Sequence, residues 1–183
     1  MKPGALGTIV IATRNQGKLR EFRTLLRQLP CSIVSLADIG IDMEIDESGS
    51  TFAENARLKA VAYSRLTGLP VLADDSGLEV KALGGRPGIH SARYAGPGAS
   101  DADRIAKLLE ELDRQGGDRT ARFVCALALA RSGSIIRESE GTCSGIILRE
   151  PRGTNGFGYD PVFLMQEFDR TFAELNEDEK NRY

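Results

Sequence analysis

Apolar residues in this chain fall into short unbroken runs and longer helical stripes that alternate from the N-terminus onward. Thr8 to Thr13 reads Thr-Ile-Val-Ile-Ala-Thr, a β-branched run too short for a helix, and predicts a buried strand. Asn15 and Gly17 break it. From Lys18, the residues Leu19, Phe22, Leu25, Leu26 and Leu29 recur at helical spacing, and Pro30 stops the predicted helix. Cys31 to Leu36 predicts a second strand. A strand, tight turn, helix and strand in this order point to an α/β fold.

Asp42 to Ser50 carries Glu44, Asp46 and Glu47 and reads as a loop or strand end. Thr51 to Leu66 predicts a helix with Thr51 as its cap, Glu54 at capping-box spacing, and Phe52, Ala56, Ala60 and Ala62 on a largely small-residue face. Gly68 and Pro70 lead into a strand over Pro70 to Ala73. A turn is expected at Ser76 and Gly77, with strand resuming at Leu78 to Val80. Residues 84–98 are rich in Gly and Pro and predict a long irregular segment, a feature that is often functional in a compact domain. Ser100 or Asp101 caps a helix to about Arg114, ended by Gln115, Gly116 and Gly117. Thr120 to Arg131 and Ser134 to Leu148 predict two long strands joined by a hairpin at Ser132 and Gly133. A second glycine-rich segment, Gly153 to Tyr159, precedes a short strand over Val162 to Leu164, and Glu174 to Tyr183 reads as the start of a helix. There is no internal repeat, low-complexity tract or interdomain linker, so residues 1–183 read as one domain.

Composition adds exclusions. Hydrophobic residues make up 41% and charged residues 27%, which argues against disorder. A net charge of −2 supplies no electrostatic reason to bind nucleic acid or a membrane. It does not exclude an anionic substrate, since local amides, lysines and a metal can oppose the global sign. Cys31, Cys125 and Cys143 are scattered without metal-ligand spacing. Cys125 lies in an apolar run, where a buried inert thiol is expected, and the pattern suits a reducing cytoplasm. No segment reaches the ~20 apolar residues that cross a bilayer. Lys2, Pro3 and Gly4 lead into an apolar run too short for a cleavable signal.

Four constellations carry candidate chemistry. Thr13, Asn15, Gly17 and Lys18 stand where a strand meets a helix, and a helix N-terminus with a glycine and a lysine suits phosphate; the plainer reading is a helix start with an exposed lysine. The spacing is not that of a Walker A loop. Asp74 and Asp75 follow an apolar strand. Two adjacent carboxylates cannot both be buried and ionised without a cation or strong donors, and a divalent metal resolves the conflict; the alternative is a solvated turn. Because strand neighbours point opposite ways, only one of the pair need reach a shared site. Glu44, Asp46 and Glu47 offer a second carboxylate for such a metal, or simply a solvated face. Phe157, Gly158, Tyr159 and Asp160, on a glycine platform, combine aromatic rings with a carboxylate, as a purine pocket would need, or pack as an aromatic turn. His90, the single histidine, has no evident partner for catalysis.

Taken in order, five segments resemble one family. They are Ala12 to Lys18; Thr51 to Ala56 with Lys59 and Ala60; Ala73 to Leu78; Gly84 to Gly96; and Gly156 to Pro161. Together they resemble the Ham1-type, inosine triphosphatase-like family of noncanonical purine nucleoside triphosphate pyrophosphatases, over nearly the whole chain. The resemblance implies an elongated α/β fold, a long mixed sheet with flanking helices forming two lobes around a central cleft. It implies a homodimer that uses Mg²⁺ and releases pyrophosphate from ITP, dITP and XTP, cleansing the nucleotide pool. Carried over by position, Thr13, Asn15, Lys18 and Lys59 hold the triphosphate and Ser76 contacts substrate. Asp75 binds metal and is the base that activates water, or serves mainly as a ligand. Glu47 is the second metal carboxylate, with Glu44 and Asp46 still open. Phe157, Gly158, Tyr159 and Asp160 line the base pocket, and Lys180 approaches the base. The family continues into a Ser-His-Arg motif, whereas this sequence stops at Tyr183; the expectation is a truncation, the alternative a chain lacking those contacts. Two other functions compete: a pyrophosphatase of different base specificity, and a nucleotide-binding module that has lost catalysis.

Overall fold

A computed structural model describes residues 7–183; the readings made on Lys2, Pro3 and Gly4 lie outside the described residues. The β-branched run forms strand β1 (Thr8–Ala12), and its parallel partner is β2 (Ser32–Ser35). Between them runs helix α1 (Gln16–Leu25). It ends short of Pro30, because Leu25 and Leu29 are 54% and 41% exposed and so do not hold the last turns against a core.

Helix α2 (Phe52–Thr67) follows Thr51, whose hydroxyl accepts from the Glu54 amide. The Glu54 carboxylate reaches back in turn, accepting from the hydroxyl and amide of Ser50 as well as facing the Thr51 backbone, and these donors hold it below the usual carboxylate range. The buried stripe of α2 is Phe52, Asn55, Ala56, Ala60, Tyr63 and Ser64, at helical spacing but with a polar amide in its midst.

Strand β3 (Val71–Val80) runs unbroken through Ser76 and Gly77, so the turn expected there does not form. Gly77 is buried, and strand pairing outweighs its weak strand preference. Asp74 and Asp75 therefore sit mid-strand rather than at a strand end. Helix α3 (Asp101–Gln115) is closed at its start by a capping box between Ser100 and Asp103. The hairpin pairs β4 (Thr120–Arg131) with β5 (Ser134–Ile147), and Ser132 and Gly133 both take positive φ, as a two-residue hairpin requires. Short strands β6 (Phe163–Met165) and β7 (Arg170–Thr171) follow, and the last helix, α4 (Glu177–Lys180), spans only four residues.

The seven strands form one mixed sheet in the order β2-β1-β3-β4-β5-β6-β7, parallel where β1 meets β2 and β3 and antiparallel at β5-β6 and β6-β7. The chain divides into two compact units: the residues up to Asp75 with Cys125–Glu140, and Ser76–Val124 with Gly141–Tyr183. In the first, Val10, Ile11, Ala56, Ala60, Val71 and Ala73 are fully buried. In the second, Leu78, Val80, Leu108, Ile147, Val162 and Phe163 centre the core, with Phe123 stacked on Phe172 at 5.6 Å. Among the described residues no helix is long and apolar enough to cross a membrane.

Gly145 of β5 leaves room for its neighbour strand. A β-carbon there would stand 2.5 Å from the Leu164 carbonyl oxygen and 2.7 Å from the Phe163 ring. Gly145→Ala is expected to destabilise the protein by about 1–3 kcal/mol through overpacking. The urea midpoint measures this, and an unchanged midpoint would contradict the close packing.

Candidate active site

In the first unit the site begins at the start of α1. The Asn15 side chain accepts from the amides of Gly17 (2.8 Å) and Lys18 (3.2 Å), and the Asn15 amide donates to Thr13 Oγ1 at 3.3 Å. This turn caps α1 and sets its positive end beyond the end of β1. Lys18 reaches from α1 to β3, where its Nζ donates to Asp74 Oδ2 at 2.5 Å. The Asp74 side chain is 3% exposed and that of Lys18 20%.

Alternation along β3 sends Asp75 to other partners. Its Oδ2 accepts from Asn55 Nδ2 at 3.0 Å, and its Oδ1 lies 3.8 Å from Lys59 Nζ. Lys59 in turn donates to Glu47 Oε1 at 2.6 Å. One ammonium thus stands between two carboxylates. Asn55 is fully buried, and its other amide atom, Oδ1, accepts from the Gly49 amide at 2.8 Å. That bond ties the acidic loop to α2. A β-carbon on Gly49 would come within 2.6 Å of Asn55 Oδ1, so glycine is required for the approach. Of the three acidic candidates, Glu44 pairs with Arg14 at 2.9 Å and Asp46 is exposed, while Glu47 is joined to Asp75 through Lys59.

Burial shapes the electrostatics. It pushes the Asp75 carboxyl above its ordinary range, against the pull of Lys59, Asn55 and Lys18 and with the push of Glu47. For Lys18, burial disfavours the charged form, but the charge and hydrogen bond of Asp74 outweigh it and hold the ammonium above its usual value. Cys125 is partly rather than fully buried, a correction to the buried thiol expected from its apolar run, yet burial, with the Asp74 charge next, still raises the thiol to about 11 and leaves it a poor nucleophile.

The second unit holds the aromatic segment. Asp160, 2% exposed, accepts through Oδ2 from the Phe157 amide at 2.9 Å and from Lys180 Nζ at 2.5 Å. The same Nζ stands 4.3 Å from the centroid of the Phe157 ring, a cation–π contact. Gly156 has φ +75°, and a β-carbon on it would fall 2.0 Å from Asp160 Oδ2, so the carboxylate fills the space that only glycine leaves. The Gly158 amide donates to Asp101 Oδ2 at 2.8 Å. The Tyr159 side chain is committed elsewhere: its ring is in the core, and its hydroxyl donates to the Ser91 carbonyl at 3.0 Å. Burial raises the Tyr159 phenol far above its ordinary range.

The structure therefore groups Lys59, Glu47 and Asp75 in one unit, with Thr13, Asn15 and Lys18 around the opening of α1. It groups Phe157, Asp160 and Lys180 in the other. Ser76 is half-buried directly after Asp75, and His90 is exposed. Two residues of these clusters escape the sequence reading. Asn55 was legible only as an amide on an otherwise apolar helical stripe, and Asp74, counted with Asp75, proves to be the partner of Lys18. Among the described residues no three His, Cys, Asp or Glu side chains are gathered as a metal cage. Two carboxylates around one cation nevertheless match the donor set of an ion that keeps water and phosphate oxygens as its other ligands.

Asn55→Ala is expected to cost about 1–3 kcal/mol, by stranding a buried carboxylate oxygen and the Gly49 amide. Hydrogen exchange at Gly49 should accelerate more than the global loss of stability explains; exchange that tracks global stability alone would refute the tether. At pH 8 a thiol of pKa about 11 is only about 0.1% thiolate. Iodoacetamide labelling of Cys125 should therefore be slow at pH 8 and rise about tenfold per pH unit towards pH 11, as mass spectrometry of the labelled peptide will show.

The chain matches known proteins along its length. The family model described as the Ham1 family matches residues 9–183. A Bacillus licheniformis protein named dITP/XTP pyrophosphatase is 52% identical, over 95% of this chain and 89% of that protein. A Geobacillus kaustophilus protein of the same name is 56% identical, over 95% and 86%. Among solved structures, a HAM1 protein from Coxiella burnetii superimposes with a TM-score of 0.87 at 46% identity, covering 96% of this chain and 90% of that one. The Staphylococcus aureus Ham1 protein gives 0.84 at 42%, again over 96% and 90%. With a family model spanning nearly all of its residues and relatives above 50% identity, this chain belongs to the Ham1 family.

Proposed function

We propose that this protein hydrolyses noncanonical purine nucleoside triphosphates, ITP, dITP and XTP, to the monophosphate and pyrophosphate, and so removes deaminated bases from the nucleotide pool. The observation that carries the reading is the Asp75–Lys59–Glu47 arrangement, two carboxylates around one cation beside a buried amide. The relatives named dITP/XTP pyrophosphatase support dITP and XTP among these substrates.

The triphosphate is assigned to Thr13, Asn15, Lys18 and Lys59, with the positive end of α1 favouring its charge. Asp75 and Glu47 would hold Mg²⁺, which when bound would neutralise triphosphate charge and polarise the α-phosphoryl group. Water attacks the α-phosphorus in line, the bond from that phosphorus to the oxygen bridging the β-phosphate breaks, and pyrophosphate leaves. Asp75, a carboxylate beside the attacked phosphorus, accepts the proton of the attacking water. Lys59, already shared between Glu47 and Asp75, orients the carboxylates and shields the leaving charge.

The base is assigned to the second unit. Phe157 offers a ring face for stacking, while Lys180 and Asp160 read the purine edge, with Ser76 and Gly158 as further contacts. A lysine facing a 6-oxo group finds an acceptor; facing the 6-amino group of adenine it meets a donor, which a buried site penalises. The protein acts in the cytoplasm as a homodimer, on free nucleotides rather than on nucleic acid or at a membrane.

Pyrophosphate release should be strong with ITP, dITP and XTP, at least about tenfold weaker with ATP, and lost on chelating Mg²⁺. Asp75→Asn should lower kcat about 10²–10⁴-fold with the circular dichroism spectrum unchanged. Near-normal turnover in that variant would overturn the assignment of Asp75. Equal rates with ITP and ATP would overturn that of the base pocket.

A further inference from the structure

The glycine-rich segment of residues 84–98 is not absorbed by the reading above, yet it is built around a buried serine. Strand β3 pairs with β1 only as far as the Ala12–Ala73 register. Further along β3, this segment supplies partners instead. The Val80 amide donates to the Arg86 carbonyl at 3.2 Å, the Gly85 amide to the Val80 carbonyl at 3.0 Å, and Glu79 forms an isolated bridge with Pro87. The Leu78 amide, next in the same row, donates to a side chain, Ser91 Oγ, at 2.9 Å.

Ser91 is 7% exposed and makes two further bonds. Its hydroxyl donates to the Gly88 carbonyl at 2.6 Å, and its own carbonyl accepts from the Tyr159 hydroxyl at 3.0 Å. Both hydroxyl functions are thus used, as donor and as acceptor. The segment that carries Ser91 is itself anchored. Arg86 on one side of it and Tyr94 on the other converge on Glu111 Oε2, each at 2.7 Å. Ser91 is therefore a fixed node rather than a passenger on a loose loop. One arm holds β3 two residues beyond Ser76. The other holds Tyr159, between Gly158 and Asp160 of the aromatic segment.

We propose that Ser91 is a positioning residue for base selection: through the Leu78 amide and the Tyr159 hydroxyl it ties the part of β3 from Ser76 onward to the Phe157–Asp160 segment within the second unit. This rests on the pyrophosphatase reading. Ser91 touches no substrate in this scheme; it sets where Tyr159, and hence Asp160 and its lysine, stand. Loosening the node degrades the fit of the base more than the chemistry at phosphorus.

Steady-state pyrophosphate release by the full chain with ITP and ATP, comparing wild type, Ser91→Ala, Ser91→Thr and Tyr159→Phe, tests the proposal. Ser91→Ala should raise KM for ITP about tenfold, leave kcat within about threefold, and narrow the ITP-to-ATP ratio of kcat/KM. Ser91→Thr, which keeps the hydroxyl, should restore most of the ratio. Tyr159→Phe, which removes the other arm without creating a cavity, should reproduce the KM increase, and the Ser91→Ala/Tyr159→Phe double variant should be less than additive. A fall in thermal stability with KM and the ITP-to-ATP ratio unchanged, or additive effects in the double variant, would overturn the proposal. If the wild type releases no pyrophosphate from any triphosphate, the pyrophosphatase reading fails first. Ser91 is then judged by calorimetric affinity for ITP: about tenfold weakening in Ser91→Ala sustains the node, while unchanged affinity, or no ITP binding by the wild type, removes it.

Discussion

Two aspartates stand side by side in the middle of a buried strand, and much of the first unit is arranged so that both can stay there. A buried carboxylate without partners is too costly to remain ionised. The alternation of β3 separates the pair, and each obtains its own set of donors. Asp74 takes the ammonium of Lys18, carried by α1. Asp75 takes the amide of Asn55 and the more distant ammonium of Lys59, both carried by α2. The helices that cover the sheet thus also supply its missing charge. Asp74 has a lysine ammonium at 2.5 Å, whereas the nearest ammonium to Asp75 stands at 3.8 Å and burial pushes its carboxyl above the ordinary range.

Asn55 links this constraint to the acidic loop. A single buried amide serves the Asp75 carboxylate with its nitrogen and the Gly49 backbone with its oxygen, so the loop bearing Glu47 is held by the same side chain that steadies Asp75. Glycine at 49 is the steric condition for that approach, as glycine at 156 is for the Asp160 carboxylate in the second unit. In both places a missing β-carbon lets a polar group come close to the backbone, and the polar group then orders a charged side chain.

Asp160 repeats the principle with different chemistry. Nearly fully buried, it is satisfied by a backbone amide and by Lys180, whose ammonium also lies over the Phe157 ring. The ring, the ammonium and the carboxylate are therefore mutually positioned, while Tyr159, in the same short segment, turns its ring into the core and supplies rigidity.

Much of this was legible in the residues. Period-2 and period-3.6 patterns located β1, α1, α2, α3 and the β4–β5 hairpin, because burial on one face dictates those spacings. The cap at Thr51 and the positive-φ turn at Ser132 and Gly133 followed from local sterics and donors. The order of motifs around Asn15, Asp75, Arg86 and Asp160 is enough to point to the family without the fold. The unbroken course of β3 through Ser76 and Gly77 was hidden, since strand pairing overrides the turn preference of a Ser-Gly pair. The early end of α1 was hidden too, because exposure of Leu25 and Leu29 depends on what packs nearby. Which carboxylate pairs with which lysine, and that Asn55 and Ser91 are the buried polar nodes, are matters of contacts between residues 6 to 68 positions apart. Local chemistry determines which groups need partners; only the packing of helices and loops on the sheet decides which partners they find.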